Sequence, residues 1–158
     1  MPKLGAVRLW RVVKRRHAAT AFDGKAAQRF GGRWNSPGRR AVYASANKSL
    51  AVLEVLVHLD VGRRLPRLVA FTFDVDAKLV DRLAATQLPR RWRTSRGLLA
   101  TQQIGDEWLA AGRALALAVP STIVPEELNY LLNPAHPAFG RLRFGPPIPF
   151  LLDPRLAG

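Results

Sequence analysis

Between Gly31 and Glu54 the chain carries an arginine, a tyrosine and a carboxylate in local surroundings that suit a reaction site. The stretch reads GGRWN at 31–35, AVYAS at 41–45 and SLAVLEVLVHL at 49–59. The two glycines free the backbone for a tight turn or for close approach to a ligand. Arg33 follows them directly, and its planar guanidinium is shaped to grip phosphate or carboxylate with two bonds. Tyr43 lies in a short β-prone run. Glu54 is the only acidic or basic side chain, histidine aside, between Lys48 and Asp60. A carboxylate on an apolar helix is costly unless it is paired or functional. Glu54 therefore has two readings, a structural ion pair with His58 or an arginine, or a working carboxylate. The others also divide. Arg33 fits a surface arginine or an anion clamp, Tyr43 a core ring or a ligand stack. Ser121 fits a turn serine after Pro120, and Asn129 and Asn133 fit helix-end caps.

The elements that must position these groups can be read from pattern. Val7–Val13 has the β-branched and aromatic content of a strand. Residues 14–40 form a long polar segment with a short helix near Ala26–Phe30, and a loop of that length in a small domain is often functional. Ala41–Ser45 is the next strand. A helix over about Asn47–Leu59 carries one stripe of Leu50, Leu53 and Val57 and another of Val52, Val55, Leu56 and Leu59. Apolar on both sides, it is expected to be buried, with Glu54 pointing inward or into a cleft. Leu68–Val75 alternates as a strand, and Ala77–Leu83 is expected to be a short helix. Thr94 or Ser95 caps a helix to about Ala111, with Leu98, Leu99, Ile104 and Trp108 as its apolar side and Gly112 as its stop. Ala114–Val119 is a strand broken by Pro120, after which Ser121–Val124 resumes extended chain. Leu128–Asn133 ends at Pro134, and Arg141–Leu152 is an extended, proline-rich tail. Strands and helices do not alternate strictly. The expected fold is therefore one α/β domain of the α+β kind, with a mixed or mostly antiparallel sheet.

Composition narrows the function classes. The chain has 158 residues, 48% of them hydrophobic, enough for one domain with a core. It contains no cysteine, which removes disulfides, thiol nucleophiles and Cys-ligated metals and fits a cytoplasmic location. No apolar run approaches the ~18 residues of a membrane span, and Arg8 and Arg11 interrupt any signal-peptide core. His17, His58 and His136 share no metal-ligand spacing, so no metal site is expected. The motifs GxGxxG after a strand, GxxxxGK[ST] and GxSxG are absent, which removes Rossmann, P-loop and α/β-hydrolase readings. The net charge of +14 predicts attraction to nucleic acid, nucleotide phosphates or an acidic protein without choosing among them.

In combination the motifs resemble one family. The order is GGRWN at 31–35, the strand tyrosine Tyr43, Leu53–Glu54 on a helix, Val119–Ser121, and NYLLNP from Asn129 to Pro134. This is similar to the RES domain, named for its arginine, glutamate and serine. The resemblance runs from Trp10–Arg11 to the final LLDPRL, a single domain over 1–158 with its core at about 7–153. It implies the catalytic fold of ADP-ribosyltransferases, NAD as substrate, and a toxin of a bacterial toxin–antitoxin pair. The family's arginine, glutamate and serine would be Arg33, Glu54 and Ser121, with Tyr43 beside them as the fourth catalytic position. Arg33, Tyr43, Ser121 and Asn129 would also bind NAD, as would Arg16 and His17, where relatives often carry an Arg-Tyr pair. The implied partner is an Xre-type antitoxin that occludes the NAD site and makes the DNA contact itself. The arrangement also allows a homodimer within a larger complex.

Residue chemistry agrees with this. Breaking the nicotinamide–ribose bond builds positive charge on the sugar, which a carboxylate such as Glu54 stabilises. Water as acceptor gives hydrolysis, phosphate gives phosphorolysis, and a protein side chain gives ADP-ribosylation. Rival readings remain. The charge fits a nucleic-acid-binding or RNA-cleaving protein, although no RNP-like motif or basic helix stripe is present. A pure interaction subunit would leave Glu54 structural.

Overall fold

The computed structural model describes residues 2–60, 62 and 64–157. Its strands are β1 (Ala6–Lys14), β2 (Val42–Ser45), β3 (Leu68–Asp76), β4 (Val80–Arg82), β5 (Ala116–Pro120), β6 (Leu128–Leu132) and β7 (Ile148–Phe150). The helices are α1 (Lys25–Phe30), α2 (Lys48–Leu56) and α3 (Leu98–Ala111). The strands form one sheet in the order β4-β5-β6-β2-β1-β3-β7. All neighbours are antiparallel except β4 and β5. The mixed, mostly antiparallel α+β domain expected from the sequence is therefore found.

Each face of the sheet has its own cover. On one, Leu9, Val42, Ala44, Phe73, Val75, Ala118 and Leu132 form a core with Phe139, Leu142 and Phe144 of the C-terminal segment packed on it. On the other, Leu117, Val119 and Leu131 meet Trp108 and Leu109 of α3 and Trp34 of the GGRWN loop. Beside them Ala51 of α2 packs on Val12, Leu68 and Ala70.

The sheet narrows at its centre. β1 pairs with β3 from Ala6↔Asp76 to Lys14↔Leu68, but meets β2 at one register pair, Trp10↔Ser45. Arg11 spans that gap. Its Nη1 donates to the Tyr43 carbonyl at 2.8 Å and its Nε to the Ala21 carbonyl at 2.6 Å. Burial pushes the Arg11 guanidinium down to about 10, opposed by the charge of Asp23, so it stays cationic at neutral pH.

Several elements differ from the sequence pattern. α2 starts behind the Asn47 cap, whose side chain accepts from the Leu50 N–H at 2.8 Å. It ends at Leu56 and buries only Leu50 and Ala51. Leu53 is 40% and Val57 58% exposed, because the helix lies on the sheet along one side only. The expected helix at Ala77–Leu83 is a single 3-10 turn, Ala77–Leu79, followed by β4, where pairing with β5 overrides local preference. Ser121–Val124 is not extended: the Ser121 Oγ accepts from the N–H groups of Ile123 and Val124 at 3.0 and 3.2 Å and closes a turn. α3 follows a 3-10 turn at Ser95–Gly97 and buries Thr101, Gly105, Trp108 and Leu109, leaving Leu99 exposed. It stops at Gly112 with φ 61°, as expected. Among the described residues no helix is long and apolar enough to cross a membrane.

Candidate active site

The side chains of Glu54, Ser121 and Asn129 meet on the α2–α3 face of the sheet. β2 and β6 pair Ser45 with Asn129, and β5 and β6 pair Val119 with Asn129. Side chains two residues apart on a strand share a face, so Tyr43 and Ser45 point the same way from β2. Ser121 sits one step beyond β5, fully buried. Glu54 reaches down from α2. Its Oε1 accepts from the Ser121 hydroxyl at 3.0 Å and from the Asn129 amide at 2.6 Å. Asn129 in turn accepts the Ser45 hydroxyl at 2.7 Å. Among the described residues Glu54 makes no ion pair with His58 or any arginine, and its Oε2 has no hydrogen-bond partner. One carboxylate oxygen is thus fixed by two neutral donors while the other is left for something else.

Arg33 is held by a separate apparatus. Gly31 has φ 72°, a left-handed conformation that favours glycine. A Cβ on Gly32 would lie 2.6 Å from the Tyr43 hydroxyl oxygen, so this glycine serves close approach. The Tyr43 hydroxyl accepts from the Trp34 N–H at 3.1 Å and donates to Asn35 Oδ1 at 2.5 Å. Burial holds this phenol well above its ordinary value, which keeps the donating proton in place. Asn35 is completely buried, and its amide donates to the carbonyls of Ala27, Ser36 and Arg39. α3 fixes the loop from the other side. Gln102 donates to the Gly32 carbonyl at 3.0 Å. Asp106 accepts from the Ser36 N–H at 3.0 Å and its hydroxyl at 2.5 Å. The Arg33 Nη1 donates to the carbonyls of Thr94 and Trp92 at 2.9 and 3.3 Å. Among the described residues Nε and Nη2 of Arg33 carry no hydrogen bond, an open edge for an anion.

Among the described residues Arg16 and His17 make no hydrogen bond to Arg33, Tyr43, Glu54, Ser121 or Asn129. Both are exposed in the 3-10 turn after β1, where the Arg16 Nε donates to His17 Nε2 at 3.2 Å. Arg16 lines a basic cavity of about 990 Å³ with Lys14, Arg15, Arg64 and Arg67; none of Arg33, Tyr43, Glu54, Ser121 or Asn129 borders it. Asn129 does not cap a helix but lies in β6. Asn133 does serve a helix end as expected: its amide donates to the Leu109 carbonyl in the last turn of α3 at 3.1 Å, and its Oδ1 accepts from the Ala135 N–H. Among the described residues no three His, Cys, Asp or Glu gather to hold a metal.

Sequence reasoning missed Ser45, Asn35, Gln102, Gly105 and Asp106. Ser45 had a signal, the two-residue spacing from Tyr43. The α3 residues had none, since their role depends on which helix lies over the loop.

The family model for the RES domain matches residues 8–153. The chain belongs to the RES domain family. Among the relatives the chain matches, "Toxin Res" of Yersinia enterocolitica is 40% identical over 149 residues, covering 94% of this chain and 98% of that protein. "Prs ADP-ribosylating toxin" of a Sphingobium species is 36% identical over 152 residues, covering 93% and 94%. "Toxin Res" of Photorhabdus laumondii is 38% identical over 126 residues, covering 80% and 81%. GGRWN and Glu54 lie inside the RES match, and so do Ser121 and NYLLNP.

Proposed function

We propose that this chain is an NAD-consuming toxin of a bacterial toxin–antitoxin pair and that it cleaves the nicotinamide–ribose bond. The observation that carries this reading is the half-engaged carboxylate of Glu54, with Oε1 gripped by Ser121 and Asn129 and Oε2 unbonded among the described residues. In the proposed reaction the C1′–N bond breaks and its electron pair leaves with neutral nicotinamide. The sugar becomes oxocarbenium-like, and Glu54 stabilises it through Oε2. Arg33 grips the pyrophosphate with its open edge, and the Tyr43 ring offers a face to nicotinamide. Attack by water on C1′, with loss of its proton, gives ADP-ribose; attack by inorganic phosphate gives the 1-phosphate. The name of the Sphingobium relative favours a second reading, transfer of ADP-ribose to a protein. The RES family match and the toxin names of the relatives support an antitoxin partner; in this reading it is of Xre type and covers Arg33 and Glu54.

Incubating the purified protein with NAD and following nicotinamide by chromatography tests the reaction. Glu54→Gln removes charge at nearly constant shape and is expected to lower turnover at least about 100-fold with unchanged thermal melting. A wild-type protein that releases no nicotinamide, alone or with cell extract as acceptor, overturns the NAD reading. A Glu54→Gln variant at full rate overturns the role of Glu54. Free ADP-ribose, its 1-phosphate or labelled protein identifies the acceptor.

A further inference from the structure

Glu54 does not hold its own geometry, and the residue that completes the arrangement is on β2. Ser45 is 3% exposed. Its hydroxyl donates to Asn129 Oδ1 at 2.7 Å, and Asn129 Nδ2 donates to Glu54 Oε1 at 2.6 Å. The order of these bonds has one consistent direction. A carboxylate only accepts, so the Asn129 group facing Glu54 must be the NH₂. That puts the Asn129 carbonyl oxygen toward β2, where it needs a donor. Ser45 is directly across the β2–β6 ladder and supplies the O–H. Reversing the amide would set its oxygen against the carboxylate and its NH₂ against the serine. Ser121 is locked in a parallel way, since its oxygen accepts two backbone N–H groups and its proton is thereby directed to Glu54.

We infer that Ser45 is a positioning residue for the Glu54 carboxylate, acting through the side-chain amide of Asn129. The inference rests on the NAD reading for its kinetic arm, but its structural arm does not. Removing the hydroxyl leaves a buried acceptor without a donor, and the amide is then free to swing between two poor arrangements. Glu54 loses its shorter bond, and its Oε2 no longer stays where the ribose charge develops. Arg33 is untouched, because its loop is fixed by Tyr43, Asn35 and α3. Substrate binding should therefore survive while the chemical step slows.

The experiment compares Ser45→Ala with Ser45→Thr, which keeps the hydroxyl and suits a strand. In Ser45→Ala, kcat for nicotinamide release is expected to fall about tenfold while KM for NAD changes less than twofold; Ser45→Thr should recover most of the rate. In parallel, the side-chain NH₂ of Asn129 is followed by ¹H–¹⁵N NMR, assigned with Asn129→Asp. Its hydrogen-bonded proton should be protected from exchange in the wild type and in Ser45→Thr, and lose protection at least fivefold in Ser45→Ala. An unchanged Asn129 signal overturns the inference even in a protein that proves inert toward NAD. So does an unchanged kcat in an NAD-active protein. A rate lost equally in the alanine and threonine variants, together with lowered melting, also overturns it, by making Ser45 a packing residue. If the wild type is inert toward NAD but the Asn129 signal responds, the NAD reading fails and the positioning of Glu54 by Ser45 stands.

Discussion

At the scale of single residues, the site separates a carboxylate from an arginine by giving each its own supports. Glu54 is held by neutral donors from β6 and from the turn after β5, and among the described residues no cation pairs with it. Arg33 spends one nitrogen on the carbonyls of Trp92 and Thr94 and keeps the rest of its fork. A lysine has no fork and cannot bind those carbonyls and a pyrophosphate at once. Arg33→Lys is therefore expected to weaken NAD binding roughly tenfold, about 1.4 kcal/mol, as measured by calorimetry in the Glu54→Gln background so that substrate persists. Unchanged affinity would leave Arg33 with the loop-anchoring role alone.

At the scale of elements, α3 decides where the GGRWN loop goes. A Cβ built on Gly105 would lie 1.6 Å from the Trp34 carbonyl oxygen, so backbone meets backbone with no flexible side chain between them. Gln102, Gly105 and Asp106 thus form one seat, with Asp106 also 3.8 Å from Arg39. Gly105→Ala should favour the isolated helix yet destabilise the protein by roughly 1–3 kcal/mol through overpacking, read by urea unfolding. Because the displaced segment carries Arg33, KM for NAD should rise as well. Gly112→Ala is the control. It meets no neighbour but is strained at φ 61°, so it should cost stability without moving KM.

At the scale of the whole molecule, the sheet is two well-paired parts joined at Trp10↔Ser45, and Arg11 ties them across the splayed strands. Arg11→Leu would leave two carbonyls without their donor, at a cost of about 2–4 kcal/mol, seen as a lower urea midpoint. If stability is unchanged, Arg11 is not the tie. The net charge of +14 acts at longer range. It should speed association with an acidic antitoxin surface, with an on-rate falling as salt rises. Stopped-flow mixing from 50 to 500 mM salt checks this. NAD turnover by a stoichiometric complex at the free toxin's rate would rule out occlusion.

What the sequence determined by itself was the inventory and the local geometry. Glycine freedom at Gly31–Gly32 and the Gly112 stop follow from short-range sterics. The strand Val7–Val13, rich in β-branched and aromatic residues, and the alternating strand Leu68–Val75 follow from local β preference, and all of these were legible. The motifs also pointed to Arg33, Glu54 and Ser121 as a set. What only the tertiary structure decided was who supports whom. Glu54 could have met His58, one helical turn away, or an arginine from elsewhere in the chain. It meets Ser121 and Asn129 instead, because sheet order puts β6 beside β2 and β5 beside β6, within reach of α2. β4 became a strand where local pattern favoured helix, because β5 offered an open edge. Ser45 and Asp106 gained their roles only through partners 84 and 70 residues distant. Hydrogen bonds at that separation leave no periodic trace along the chain, since nothing local ties one partner's type to the other's position.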